Sequence, residues 1–238
     1  MSTLENLRQQ LSKSKPLAVR STISSGSSHL NKLFPHQGIR PGSIIEWVGQ
    51  NSLCEAALIS LVVMKHALTN ASNLLLLDPS KSIYPHALVG LGFDLNRVLY
   101  VNPNNRRDLL WACDLGLRCS AIGVVLALQP EGDAAVFRRF QIAAEDHDTI
   151  GSFVFDHRRL PHRCWGDVRL GVESLPRGDD AAMRFRLEVL RSTRGNLGDS
   201  LILEMTSQGL IYVPPVRPKK TYSLRVVSSL GHPATRVS

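Results

Sequence analysis

Between residues 43 and 155, short apolar runs alternate with stretches of helical period, and this alternation restricts the chain more than any other feature. Residues 43–48, 73–78, 97–101, 121–128 and 150–155 read as strands, and 53–69, 84–91, 107–118 and 134–146 read as helices between them. Strands that are apolar along their whole length need cover on both faces. Strand–helix repetition supplies that cover as a parallel sheet between two helical layers. After Trp165 the pattern changes: 167–173, 184–191, 201–205 and 210–213 read as strands with no helix between them. Strands joined without crossover helices pair antiparallel, so these are expected to extend the same sheet in that sense. The expected fold class is α/β, with a mainly parallel central sheet flanked by helices and antiparallel strands added toward the C-terminus.

Three segments follow from composition. Residues 1–20 form an arm, with a short helix at 3–12 that puts Leu4, Leu7 and Leu11 on one face. A helix that short is marginal alone, so it is expected to dock on a partner. Residues 21–213 form the core, entered through a serine-rich linker. Residues 214–238 hold four prolines and no clear period, and read as a disordered tail. The net charge of +8 divides unevenly: +3 on residues 1–20, +5 from Val213 onward, and a neutral centre. Basic ends of this kind are either solvated tails or contacts to nucleic acid or an acidic partner, and Arg217, Lys219 and Lys220 are the tail residues placed for such contact. No apolar run approaches the roughly 20 residues of a membrane span. The polar N-terminus lacks the apolar core of a signal peptide. Cys54, Cys113, Cys119 and Cys164 show no paired spacing, which fits free thiols in a reducing cytosol.

The chemistry concentrates at Val48-Gly49-Gln50-Asn51-Ser52-Leu53-Cys54-Glu55-Ala56. An apolar strand runs into Gly49 and an apolar helix follows, which is the setting of a phosphate-binding loop, G-x-x-x-x-G-K-[ST]. Counting from Gly49, the second glycine falls on Cys54, the lysine on Glu55 and the hydroxyl residue on Ala56. The glycine lets backbone N–H groups close around phosphate, the lysine neutralises it, and the hydroxyl holds magnesium. Glu55 reverses the central charge, and Ala56 removes a metal ligand. A glutamate still suits the first turn of a helix, whose free N–H groups and dipole favour an anion. On this spacing alone, Gly49 is equally an ordinary turn glycine.

The order of elements and several local phrases resemble the RecA recombinase core over about residues 21–213. Thr22-Ile23-Ser24-Ser25-Gly26 with Leu30, residues 38–49 (GIRPGSIIEWVG), Leu76-Leu77-Asp78 through Tyr84, Leu91-Gly92-Phe93-Asp94 and 98–103 are each similar to RecA passages in the same order. Within that family, residues 108–118 (DLLWACDLGLR) and 122–127 leading into 137–145 (FRRFQIAAE) resemble the ImuA group, whose members are associated with mutagenic translesion DNA synthesis. The resemblance implies a RecA-like core and locates two further ATPase positions. The catalytic glutamate position falls on Ser80, and the Walker B aspartate position falls on Leu126 followed by Ala127. With Gly49, Cys54, Glu55 and Ala56, these define a degenerate nucleotide site, so neither catalysis, cofactor nor metal is expected.

The resemblance further implies a bacterial, cytoplasmic accessory protein, nucleoid-associated when engaged. Its implied partners are a Y-family-polymerase-like protein and an error-prone replicative-type DNA polymerase. RecA itself is implied as a partner of the N-terminal helix. Residues 156–165 (DHRRLPHRCW) place Arg158, Arg159 and Arg163 near Trp165, a composition suited to single-stranded DNA or to a partner, and equally to a solvated basic hairpin. His157, His162 and Cys164 lack the spacing and fourth ligand of a zinc site. Three other functions stay open: an active DNA-dependent ATPase, a SulA-like inhibitor of cell division, whose family shares the degenerate core, and a plain DNA-binding module.

Overall fold

The computed structural model describes residues 21–68, 72–160, 163–177, 182–194, 197–206 and 211–212. The N-terminal helix with Leu4, Leu7 and Leu11, and the tail with Arg217, Lys219 and Lys220, lie outside them. The strands are β1 (Ile44–Gly49), β2 (Asn73–Leu77), β3 (Val98–Val101), β4 (Ile122–Leu128), β5 (Ile150–Asp156), β6 (Val168–Leu175), β7 (Met183–Ser192), β8 (Ser200–Met205) and β9 (Ile211–Tyr212). The helices are α1 (Ser28–Asn31), α2 (Leu53–Lys65), α3 (Pro85–Gly90), α4 (Arg106–Leu117) and α5 (Ala134–His147). One sheet holds all the strands, in the order β3-β2-β4-β5-β1-β6-β7-β8-β9.

The sheet is parallel from β3 to β6 and antiparallel from β7 to β9. This corrects one expectation. The strand after Trp165 was expected to be antiparallel, but β6 runs parallel to β1, with Glu46 opposite Arg169. The chain returns from the end of β5 to the start of β6 without an α-helix among the described residues; His157–Arg159 form a single 3-10 turn. Leu160 and Trp165 on that crossover pack on the same core layer as α4 and α5, where a crossover helix would otherwise lie.

Side-chain alternation divides the core in two. Ile45, Trp47, Leu76, Leu126, Leu128, Val154 and Leu170 face α2, whose residues Ala56, Ala57 and Ile59–Met64 are buried. A helix this apolar, laid over the middle of the sheet, has little need of a polar face. Trp47 is wholly buried, and its indole N–H donates to Ser152 Oγ at 3.0 Å. On the opposite face Leu75, Leu77, Phe153 and Phe155 meet α4 and α5 through Leu109, Cys113, Leu117, Phe137 and Phe140. Gly116 lets α4 sit low: a Cβ there would stand 2.4 Å from Leu75 Cδ2. Ser52, Asn105 and Asp133 cap α2, α4 and α5 by accepting backbone N–H bonds, as polar residues at these positions do.

Candidate functional site

In a parallel sheet the carboxyl ends of the strands form the rim where ligands are held. Gly49 ends β1, Gln50 to Ser52 turn, and α2 begins at Leu53. A Cβ on Gly49 would stand 2.0 Å from the carbonyl oxygen of Ser52, so the turn folds tightly back on the strand end and requires glycine. Ser52 accepts the N–H of Cys54 at 3.2 Å, so the chain itself takes one of the free donors at this helix start. Cys54 is exposed, Ala56 is wholly buried, and Glu55 lies between them with its Oε2 enclosed and unpartnered among the described residues. The loop thus offers a phosphate no lysine and no hydroxyl ligand at the matched positions, and it places a carboxylate there instead.

A polar cavity of about 430 Å³ opens beside this turn, lined by Gln50, Asn51, His157, Glu173, Arg186 and Glu188. Arg186 is paired with Glu173 at 2.7 Å, which leaves Glu188 without a guanidinium within the cavity lining. The lining thus holds two carboxylates against one arginine, and that arginine is already paired.

The strand bearing the Walker B position ends where the 121–128 reading puts it. β4 runs two residues past Leu126, and the residue closest to the rim on the α2 face is Leu128. Leu126 and Leu128 are both wholly buried, so either alignment puts leucine where a metal-binding acid would stand.

The end of β2 contains a carboxylate that the sequence reading passed over. Asp78 is wholly buried. Its carboxylate accepts the Ser80 N–H at 3.1 Å, the Ser80 hydroxyl at 2.8 Å and the Ile83 N–H at 2.7 Å. Ser82 Oγ lies 3.3 Å away, and the Tyr100 O–H sits between Asp78 Oδ2 at 3.0 Å and the Ile83 carbonyl at 2.9 Å. Burial and the neighbouring carboxylate hold the Tyr100 phenol above its ordinary pKa. Ser80, at the general-base position, is therefore a donor that fixes this turn. Asp78 is a strut with its acceptor capacity used inside the protein.

A second buried carboxylate explains the crossover. Glu46 is wholly buried in β1. Its Oε2 pairs with Arg169 Nε at 2.6 Å, and its Oε1 accepts the N–H groups of Trp165 at 2.7 Å and Gly166 at 3.0 Å. Arg169 also donates to the Arg163 carbonyl at 2.8 Å. Gln141 donates to the Trp165 carbonyl, and the Trp165 ring stacks on Phe137 at 6.0 Å. Burial and the Glu46 charge push the Cys164 thiol up to about 12, which keeps it protonated. The signal for Glu46 was present in the sequence: a lone acid inside an apolar strand requires a buried partner.

The structure separates the four residues of the basic patch. Arg158 and Arg159 follow β5 at the rim, and Arg159 lies 3.8 Å from Glu131. Trp165 lies at the other end of the sheet, beside Asp167, whose N–H donates to Ile44 O. The seven residues of β5 span roughly 20 Å between those levels. Arg163 is exposed on the crossover, near the Trp165 end. One ring face of Trp165 is occupied by Phe137, so these residues do not form a single stacking patch. His162 lies outside the described residues, and among those described no three metal-binding side chains gather.

No protein-family model matches the chain, and no curated protein matches it in sequence. Solved structures do match in fold. The crystal structure of the RadB recombinase is similar at a TM-score of 0.60 and 16% sequence identity, over 79% of this chain and 98% of that one. The chain has a RecA-like fold: a mostly parallel sheet with antiparallel strands at its C-terminal side.

Proposed function

We propose that this chain is a non-catalytic, RecA-like accessory protein of damage-induced mutagenic DNA synthesis, acting through protein contacts in the manner of the ImuA group. One observation carries the proposal. On a RecA-like scaffold, the phosphate-loop positions are held by Cys54, Glu55 and Ala56, and the metal-acid position by a buried leucine. A fold kept without the groups of its chemistry fits a scaffold better than an enzyme.

The open sheet edge supports a contact role. β3 is an outermost strand, and Leu99 and Val101 are exposed on it, on the face shared with Leu75 and Leu77. Exposed apolar edges are surfaces to which other chains add. The proposed partners are a Y-family-polymerase-like protein and an error-prone replicative-type polymerase, with RecA engaged by the arm bearing Leu4, Leu7 and Leu11. Single-stranded DNA contact would fall to Arg158, Arg159 and the tail residues Arg217, Lys219 and Lys220. The proposed location is the cytoplasm, and among the described residues no helix is long and apolar enough to cross a membrane.

The test combines genetics and capture. Deleting the gene should abolish damage-induced mutation while leaving survival without damage unchanged, and the tagged protein should capture the two polymerase components. Capture of the tubulin-like division protein instead, with mutation frequency unchanged, would overturn the proposal in favour of a SulA-like role.

A further inference from the structure

Between α4 and α5, on the face away from α2, a groove of about 590 Å³ is lined by Arg106, Arg107, Leu110, Trp111, Asp114 and Arg139. The buried side of α4 is accounted for by Leu109, Cys113 and Leu117. Trp111 and Leu115 stand one helical turn apart on the opposite side, 64% and 54% exposed. Among the large apolar side chains of α4 these two alone are exposed, and together they form a ridge bordered by arginine. Three guanidinium groups line the groove against one carboxylate. That carboxylate, Asp114, is already held by Arg139 at 3.1 Å and Arg118 at 3.2 Å. Arg107 has no ion pair among the described residues.

We propose that this groove binds an acidic, amphipathic helical segment of a partner protein, with an aliphatic anchor beside Trp111 and carboxylates on Arg107 and its neighbours. Charge selects the occupant. Both ends of this chain are basic, at +3 and +5, so neither complements the arginines. Apolar residues at i and i+4 next to a charged rim match the spacing of a helix laid into a groove. A nucleic-acid strand fits less well. Single-stranded binders stack successive bases on successive aromatics. Here the other strongly exposed aromatic among the described residues is Tyr84, which caps α3 on the opposite face of the sheet. Asp114 would also stand beneath the phosphates. The proposal deepens the scaffold reading by naming a surface and a partner chemistry.

The full-length protein, with fluorotryptophan at its three tryptophans, separates the outcomes by fluorine NMR. The probe is a synthetic helical peptide of about 15 residues with leucine at i, i+4 and i+7 and flanking glutamates. A lysine counterpart and oligothymidylate serve as comparisons. The acidic peptide should move the Trp111 resonance, leave that of buried Trp47 in place, and bind more weakly as salt rises. Arg107→Glu and Leu115→Ser, each on a surface position, should weaken binding about tenfold or more without changing the melting temperature. No movement of Trp111 by the acidic peptide at about 1 mM, a probe level chosen to detect weak affinity, would overturn the proposal. Equal binding of the lysine peptide, or displacement of the acidic peptide by oligothymidylate, would do the same. The two readings fail separately. Normal mutation frequency in the deletion strain with peptide binding intact removes the polymerase role and keeps the groove. Lost mutagenesis in the deletion strain with no peptide binding removes the groove and keeps the role.

Discussion

The turns after β1 and β2 stand on the same rim and treat their carboxylates in opposite ways. Asp78, after β2, is buried and surrounded by the N–H groups of Ser80 and Ile83 and the hydroxyls of Ser80, Ser82 and Tyr100. Glu55, after β1, leaves an enclosed oxygen without a partner among the described residues. The difference separates two kinds of polar residue on one rim. Asp78 holds the backbone and is fully engaged, whereas Glu55, at the matched phosphate-loop lysine position, keeps an oxygen unpaired among the described residues. Glu46 belongs with Asp78, since it satisfies the crossover to β6 and neutralises Arg169.

Substitutions ordered by expected effect sharpen that contrast. Arg169→Ala should cost the most, about 3–5 kcal/mol, because it strands Glu46 as a buried charge. Urea unfolding would measure it, and a loss under about 1 kcal/mol would mean the pair is solvated, as surface pairs are. Asp78→Asn should follow at about 2–3 kcal/mol, since an amide nitrogen then faces groups that are themselves donors. At the turn after β1 the penalties should be those of turn geometry and helix capping. Gly49→Ala is expected to lose about 1–3 kcal/mol, the usual range for forcing an atom into filled space. Ser52→Ala should lose about 1 kcal/mol as the cap of α2 disappears. If Ser52→Ala proved more damaging than Asp78→Asn, the contrast between the two turns would be wrong.

Much of this architecture was legible from residue order. The apolar runs located the strands to within a residue or two, because a strand buried on both faces has to be apolar throughout. Strand direction was less legible. The segment 168–175 has the same apolar character in a parallel or an antiparallel setting, and its crossover carries no helical period to announce a return. Trp165 suggested an exposed platform beside arginines, yet Phe137, distant in sequence, occupies its ring face. Pairings of that kind are set by tertiary packing and leave no local trace. The residues at the matched phosphate-loop positions, Cys54, Glu55 and Ala56, are legible in full, since residue identity is read from the sequence itself.

The central proposal is that the rim does not hold a nucleotide. Thermal unfolding of the full-length protein with increasing magnesium and ATP tests it most directly. A ligand present at tenfold its Kd would stabilise the fold by about 1.4 kcal/mol, or roughly 3–5 °C in a domain of this size. The account predicts no saturable, magnesium-dependent rise in Tm up to about 1 mM ATP, a level at which even a weak site would be seen. A saturable rise that requires magnesium and vanishes with Gly49→Ala would contradict it, and would place a working nucleotide site at the end of β1.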